Sequence, residues 1–274
     1  MNMFKLLISF LAIGQLLTSS AFACPSIGAF NLSDYNCDQK FKMVFTGDSI
    51  AKGVGDVRNS NKGGYVKRVK QFFGENDVSF VNLGVAGITT GRLLREFQHN
   101  LTKNKAGKTQ DAIFGSDAVM VDCGRNDFWQ NRETQSETQR AMKAVRNMKR
   151  ISSLLVKQTR KNGAEAFVFF STLIPTSRDF QNGFVNKINQ LMLKGNNKRF
   201  RVLVRFDKRF KTRLLQEDGL HPSSAGYDRI TDSILVPFLE GKFLSALSNV
   251  RPDSDGDGIY DAFEEKSYGT SSDI

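Results

Sequence analysis

The sequence is poor in histidine and lacks several motifs that would assign a function at once. His99 and His221 are its two histidines, so a mechanism that needs an imidazole base has only two places to find one. No G-x-S-x-G motif is present, which disfavours the nucleophile-elbow α/β-hydrolases. Gly84 and Gly87 hint at phosphate binding, but the P-loop lysine and a complete dinucleotide fingerprint are missing. Basic residues are scattered along predicted helices without interleaved aromatics, which argues against a nucleic-acid partner.

The N-terminus predicts export. A lysine near the start, an apolar stretch over residues 4–17 and the triplet Ala21-Phe22-Ala23 are typical of a secretory signal peptide cleaved before Cys24. No later segment approaches the roughly 20 apolar residues of a transmembrane helix. A lipid anchor on Cys24 is less favoured, because a bacterial lipobox usually has leucine where this chain has Ala21. We therefore expect a secreted or periplasmic bacterial protein.

The cysteines fit that compartment. Cys24 and Cys37 are candidates for a disulfide that ties down the N-terminal arm, because exported proteins fold under oxidising conditions. Cys123 would then be the odd thiol. It ends the apolar run 118–121, so we expect it to be buried and inert rather than nucleophilic.

Charge is unevenly distributed along the chain. The formal net charge is +11, yet residues 246–274 hold seven acidic residues against two basic ones. The positive excess therefore lies in residues 24–245. Such a surface would attract anionic envelope polymers or lipid head groups, and it is equally explained as a solvated surface that keeps the protein soluble.

Short apolar runs alternate with longer segments of helical period. Strands are predicted over 42–46, 78–83, 118–122, 166–172 and 201–206. Helices are predicted over 65–73, 90–99, 134–161, 183–193 and 225–247. This alternation favours a parallel sheet with helices on both faces. The predicted organisation is a signal peptide (1–23), an N-terminal arm (24–41), one α/β domain (42–247) and an acidic segment (248–274).

Three polar motifs follow the first three predicted strands. Gly47-Asp48-Ser49 follows the first, the loop that contains Gly87 follows the second, and Gly124-Arg125-Asn126-Asp127 follows the third. In open α/β sheets, ligands bind at the carboxyl ends of the strands. Ser49, Gly87 and Asn126 are therefore predicted to lie on one rim of the sheet.

The far downstream motif Asp218-Gly219-Leu220-His221 offers an acid and a base three residues apart. A serine hydroxyl attacks only when a base removes its proton, and the base needs a carboxylate to orient it. Pro222 disfavours helical geometry at His221, so the imidazole is expected on a loop. His99 is interpreted as a helix-surface residue.

The negative charge that develops on the substrate oxygen needs donors fixed in advance, each worth roughly 3 kcal/mol. Candidates are the backbone N–H groups of Ser49 and Gly87 and the side-chain amide of Asn126. A glycine lets the backbone approach the substrate without a Cβ in the way. Gly84 competes with Gly87 for this position.

These four blocks, in order, resemble those of the SGNH (GDSL-type) hydrolase family over roughly residues 42–239. The resemblance implies a flavodoxin-like α/β/α three-layer fold and hydrolysis of esters or thioesters without a cofactor. It implies Ser49 as nucleophile, Asp218 and His221 as the rest of the triad, and Gly87 and Asn126 beside Ser49 in the oxyanion hole. Arg125 stands where many members have glycine, which would narrow or charge the pocket.

The acidic tail has the spacing of a calcium loop. Carboxylates fall at positions 1, 3, 5, 9 and 12, a glycine falls at position 6, and the residue at position 7 can offer its carbonyl. The predicted ligands are Asp253, Asp255, Asp257, Ile259, Asp261 and Glu264. The segment resembles an EF-hand loop and, because Pro252 precedes the first ligand, more closely a thrombospondin type 3-like repeat. We expect a structural or attachment role for Ca²⁺, with none in catalysis.

Two functions remain in competition. The first is a secreted serine esterase that acts on a small-molecule, lipid or polysaccharide acyl ester. The second is a calcium-dependent protein that binds the cell envelope or a polysaccharide on a degenerate hydrolase scaffold, which the charge asymmetry and the tail would suit. The intact Ser49, Asn126, Asp218 and His221 argue against degeneracy.

Overall fold

The computed structural model describes residues 26–28, 32–74, 77–102, 107–161, 166–194 and 203–243. The predicted signal peptide, Cys24 and the acidic segment with its six proposed calcium ligands lie outside these ranges. The predicted domain boundaries and the calcium site therefore stay predictions. None of the helices in the described ranges combines the length and apolarity needed to cross a bilayer.

Five parallel strands form the central sheet: Phe41–Gly47 (β3), Val78–Asn82 (β4), Ala118–Asp122 (β5), Phe167–Ser171 (β6) and Leu203–Val204 (β7). Their order across the sheet is β4-β3-β5-β6-β7. Ser26–Ile27 (β1) pairs antiparallel with Leu32–Ser33 (β2) in a separate small sheet. β3 lies between β4 and β5, so successive strands are added on opposite sides of β3. Open α/β sheets bind ligands at the point where the strand order reverses in this way.

Helices cover both faces of this sheet. The helices are α1 Ser49–Lys52, α2 Gly64–Phe73, α3 Thr90–Thr102, α4 Lys108–Ile113, α5 Glu137–Lys161, α6 Asp179–Lys194, α7 Phe206–Arg209, α8 Ser224–Ile230 and α9 Val236–Phe243. One apolar core packs α1, α2, α8 and α9 against Met43 and Phe45 of β3, and the other packs α3, α4, α5 and α6 against Val44. Neighbouring β3 side chains thus enter opposite cores, which confirms the predicted three-layer α/β/α fold.

The start of α5 differs from its prediction by three residues. The N–H of Gln139 donates to Ser136 Oγ at 3.2 Å, and the side chain of Gln139 accepts from the Ser136 N–H at 2.8 Å. This reciprocal capping box satisfies two helix-end donors and fixes the start of α5 at Glu137.

The last predicted helix, 225–247, is interrupted by a π turn at Thr231–Leu235 between α8 and α9. Pro237 follows this turn and has no N–H to donate to the carbonyl of Ser233 four residues earlier. Arg209 Nη1 donates to that carbonyl instead, at 2.9 Å. A side chain from α7 therefore replaces the backbone hydrogen bond that proline removes.

The described cysteines agree with their predictions. Cys37 is disulfide-bonded, whereas its predicted partner lies outside the described residues, so the pairing itself stays a prediction. Cys123 is a free thiol, 2% exposed, and its burial raises its pKa well above the usual value. A thiol held protonated in this way is not an activated nucleophile.

Candidate active site

Ser49 lies where β3 turns into α1. Gly47 has φ +148°, and a Cβ there would overlap the carbonyl oxygen of Asp122 on the neighbouring strand, so only glycine fits. Asp48 then caps α1 by accepting a hydrogen bond from the Ile50 N–H at 3.0 Å. Ser49 is the first residue of α1 and is 8% exposed.

His221 lies on a tight loop before α8. Leu215 and Pro222 form an antiparallel bridge, and the N–H of Gln216 donates to the His221 carbonyl at 2.7 Å. Gly219 sits at the turn with φ +68°, a conformation that favours glycine. The imidazole is therefore carried by a loop, as predicted from Pro222.

Ser49, His221 and Asp218 form one chain of hydrogen bonds. Ser49 Oγ lies 2.8 Å from His221 Nε2, and His221 Nδ1 lies 2.5 Å from Asp218 Oδ2. The other carboxylate oxygen of Asp218 accepts from the backbone N–H groups of Leu220 at 2.8 Å and His221 at 3.0 Å. Partial burial would raise the pKa of Asp218, but these hydrogen bonds outweigh it and hold the pKa below 3.8.

The segment 176–178 donates hydrogen bonds to the loop that carries Asp218. Arg178 Nε donates to the carbonyl of Asp218 at 2.6 Å, and Thr176 Oγ1 and the Ser177 N–H donate to the carbonyl of Gly219 at 2.6 and 3.0 Å. These contacts join the segment after β6 to the loop before α8. Sequence reasoning missed them, because the partners lie 40 or more positions apart.

The two competing glycines have different surroundings. A Cβ on Gly84 would lie 2.5 Å from the backbone nitrogen of Lys52, so Gly84 packs closely against α1. Gly87 is exposed with φ +75°, and a Cβ there would have nothing within 4 Å. Of the two, Gly87 therefore faces open space. Asn126 lies beside this loop, since its Nδ2 donates to the carbonyl of Ile88 at 3.0 Å.

Asp127 holds the same two loops together, although sequence reasoning gave it no role. Its carboxylate accepts from the N–H of Thr90 at 2.9 Å and from the hydroxyl of Thr90 at 2.6 Å. Asn147 Nδ2 also donates to that hydroxyl, at 3.1 Å. In the sequence, only the position of Asp127 directly after Asn126 could have indicated that it supports the site. The network fixes the distance between the loops that carry Gly87 and Asn126.

Asp48, which precedes Ser49 in the chain, and Asp122 form a buried pair of carboxyl groups. Asp122 accepts hydrogen bonds from the hydroxyls of Tyr65 at 3.0 Å and Ser171 at 2.8 Å. Burial first, and then the charge of Asp122, raise the pKa of Asp48 to about 7. Arg125 is 3% exposed, donates to the carbonyl of Ile174, and provides a positive charge near both carboxyl groups. Its side chain is thus buried in the protein instead of projecting into solvent.

The second histidine has surroundings unlike those of His221. His99 is exposed on α3, as predicted for a surface residue. Within the described ranges, no three His, Cys, Asp or Glu side chains are grouped so as to hold a metal ion.

The chain is similar to known proteins in sequence and in fold. The chain matches the model of the GDSL-like lipase/acylhydrolase family over residues 45–229. Among solved structures, it is similar to a lipase/acylhydrolase from Enterococcus faecalis, with 20% identity, a TM-score of 0.51 and coverage of 74% of this chain and 97% of that one.

Two further structures show the same fold. A lipolytic G-D-S-L family protein from Veillonella parvula has 14% identity and a TM-score of 0.50, and the match covers 70% of this chain and 94% of that one. A lipase from a goat rumen metagenome has 20% identity and a TM-score of 0.50, with coverage of 73% and 97%. No curated protein matches the chain. From its sequence match, supported by its fold, the chain belongs to the GDSL-like lipase/acylhydrolase family and is a hydrolase that acts on ester bonds.

Proposed function

We propose that the protein is a serine esterase in which Ser49, His221 and Asp218 form a catalytic triad. The observation that carries this proposal is the unbroken hydrogen-bond chain from Ser49 Oγ through the imidazole to Asp218, with distances of 2.8 and 2.5 Å. Both distances are those of hydrogen bonds, so the arrangement supports proton transfer from Ser49 to His221.

In the first half of the reaction, His221 Nε2 takes the proton of Ser49 as Oγ attacks the ester carbonyl carbon. The oxyanion that forms is stabilised by the N–H groups of Ser49 and Gly87 and by the amide of Asn126. When the C–O bond to the alcohol breaks, His221 returns its proton to the departing oxygen. The acyl group is then bound to Ser49 as an ester.

In the second half, His221 takes a proton from water, which attacks the acyl-enzyme. The tetrahedral intermediate uses the same donors, and its collapse frees the carboxylic acid and returns the proton to Ser49. Asp218 holds the imidazole with Nδ1 protonated and stabilises its positive charge. This sequence consumes one water and needs no cofactor.

The first test is labelling by a fluorophosphonate, which reports an activated serine without requiring the substrate. We expect mass spectrometry to find the adduct on Ser49 of the mature protein. Ser49→Ala and His221→Ala should both lose the label, whereas His99→Ala should keep it. A folded protein that is not labelled at Ser49 would contradict the triad. It would favour the competing hypothesis of an envelope-binding protein on a degenerate scaffold.

For the C-terminal segment, we propose a structural Ca²⁺ site. Its support is the spacing of the five carboxylates between Asp253 and Glu264. Calorimetry with CaCl₂ should show binding to the full chain that Asp253→Asn with Asp257→Asn weakens strongly, while esterase activity stays within about twofold. Equal calcium binding by the double variant would remove this proposal.

We also propose that residues 1–23 direct export and that the mature protein acts outside the cytoplasm. The disulfide at Cys37 supports this location, because such bonds persist in oxidising compartments. The mass of the protein purified from a bacterial host should correspond to a chain that begins at Cys24. An uncleaved, cytoplasmic product would contradict export.

A further inference from the structure

A cavity of about 90 Å³ lies beside the loops that carry Gly87 and Asn126. A cavity needs roughly 10–15 Å³ to hold one water, so this cavity has room for a group of several atoms. Parts of α3, α5 and the turn Arg125–Trp129 form its walls. The residues that matter for its chemistry are Thr89, Arg95, Asp127, Gln135, Arg140 and Lys143. We refer to this cavity as the basic pocket.

The charged residues that line the basic pocket are mostly cationic. Arg95, Arg140 and Lys143 contribute three positive side chains, and among the described lining residues only Asp127 has a carboxyl group. That carboxyl group is already engaged by the N–H and hydroxyl of Thr90. Such a lining attracts anions and disfavours cations.

Arg140 gives the pocket a buried donor. The residue is 7% exposed, and its guanidinium lies over the ring of Phe128, with Cζ 5.2 Å from the centroid. Nη1 donates to the carbonyl of Phe128, whereas Nε is buried with no hydrogen-bond partner among the described residues. Leaving a charged donor unpaired in this way is costly, so an acceptor in the pocket would relieve it.

Gln135 also lines the pocket and has a buried acceptor that would need a donor from an occupant. Its side-chain oxygen is also buried without a partner among the described residues. An occupant that satisfies both residues offers acceptor oxygens to Arg140 and a hydroxyl to Gln135. A singly protonated phosphate does both, and a carboxylate satisfies the first.

Two residues of the basic pocket neighbour the proposed oxyanion donors along the chain. Thr89 follows Ile88, whose carbonyl accepts the Asn126 hydrogen bond, and Asp127 follows Asn126. The pocket therefore shares two loops with the proposed oxyanion donors.

We propose that the basic pocket binds an anionic group, phosphate or carboxylate, of the acyl ester substrate. This proposal rests on the proposed function, because it takes Ser49 as the point of attack. It names the substrate class as negatively charged esters and makes Arg140, Arg95 and Lys143 specificity residues.

The binding test uses inorganic phosphate and the Ser49→Ala protein, so that binding is measured without turnover. We expect calorimetry at low ionic strength to show phosphate binding that Arg140→Gln weakens by about tenfold or more and Lys143→Gln by less. Lys157→Gln is the matched control, because it removes an exposed charge from the same helix, α5, outside the pocket.

Because Arg140→Gln also removes packing against Phe128, thermal melting must show that the variant is folded. Lys143→Gln lies at an exposed position and provides the same test without that risk. Absence of phosphate binding, or equal binding by both pocket variants and the control, would overturn the proposal.

The kinetic test compares esters that differ only in charge. One pair has acyl groups of equal length with and without a terminal carboxylate, and the other has a glycerol leaving group with and without a phosphate. We expect kcat/KM to favour the charged member of at least one pair by about tenfold, and Arg140→Gln to reduce that preference. The pair that responds identifies the source of the anion.

An equal preference in wild type and Arg140→Gln, or no preference in either pair, would overturn the proposal. Failure of the proposed function has a different signature, since no ester would be cleaved through Ser49. The phosphate measurement on Ser49→Ala would still report on the pocket in that case.

Discussion

Both histidines of the chain follow an acidic residue by three positions, but their surroundings differ. Glu96 precedes His99 on α3, where Glu96 pairs with Arg92 at 2.9 Å and His99 is exposed. Asp218 precedes His221 on a loop, where Asp218 Oδ2 lies 2.5 Å from His221 Nδ1. The same spacing thus gives a solvated helix surface in one region and a chain of hydrogen bonds to a serine in the other.

The backbone makes this difference. On a helix, residues three apart project from one face and the N–H groups between them are used within the helix. At the loop, Gly219 adopts φ +68°. One carboxylate oxygen of Asp218 accepts hydrogen bonds from the N–H groups of Leu220 and His221. The second oxygen forms a hydrogen bond with the imidazole. At this loop the acid and the histidine act as a pair because the turn between them directs the carboxylate toward the imidazole.

The largest expected effect separates the two histidines. His221→Ala removes the proposed base, so we expect kcat/KM for a nitrophenyl ester to fall by about 10⁴–10⁶-fold. His99→Ala removes the same side chain from an exposed helix position and should stay within about twofold of wild type. Comparable losses in both variants, with both folded, would contradict the assignment of His221 as base.

A smaller effect separates the two acids. Asp218→Asn leaves a side chain of similar shape but no negative charge beside the imidazole, so we expect kcat to fall by roughly 10³–10⁴-fold. Glu96→Gln breaks only an exposed helix pair and should leave kcat unchanged. An Asp218→Asn protein with more than a tenth of wild-type kcat would show that the carboxylate does not orient or stabilise His221.

Local sequence patterns predicted much of the fold and singled out Ser49, His221 and Asp218, which the structure joins by hydrogen bonds. Strands appear as short apolar runs, and helices appear as apolar residues that recur every three or four positions. Both patterns can be recognised from neighbouring residues alone. The short helices α1 and α4 were missed because four to six residues are too few to show that period. The start of α5 was predictable from Ser136 and Gln139, whose spacing is that of a capping box.

The rest of the site depends on residues distant in sequence. Arg178 contacts Asp218 across 40 positions, and Asp127 contacts Thr90 across 37. No local pattern encodes such pairs, because they form only when separate strands end at the same rim. Burial of Arg125 was hidden for the same reason, since Asp48 follows β3 whereas Arg125 follows β5, and only the pairing of these strands brings the two residues together.

The turn between acid and base can be tested directly at Gly219. With φ +68°, any L side chain there costs about 1–2 kcal/mol, and a Cβ would also overlap Ser177 Oγ. We expect Gly219→Ala to lower the Tm by several degrees and to reduce kcat, because Asp218 and His221 shift relative to Ser49. Gly107→Ala is the control, since Gly107 has φ −162° and a Cβ there meets nothing within 4 Å. Equal melting and activity in both variants would show that the turn is not constrained.

The smallest expected effect is on stability against pH. The folded state holds the pKa of Asp218 below 3.8, so its carboxylate stabilises the fold above that pH. This contribution is lost as the pH falls through the lowered pKa. Because the side chain is 39% exposed, solvent screening limits the effect to less than about 1 kcal/mol.

Urea unfolding of wild type and Asp218→Asn between pH 2 and 6 measures this contribution. The difference in unfolding free energy should be constant above about pH 5 and shrink as the pH falls through the acidic range. Glu96→Gln, which also removes one carboxylate, should show a smaller difference from wild type, because Glu96 makes an exposed pair with Arg92. A difference for Asp218→Asn that is independent of pH would mean that the loop does not stabilise the charged carboxylate. The contrast between the helix and the loop would then rest on geometry alone.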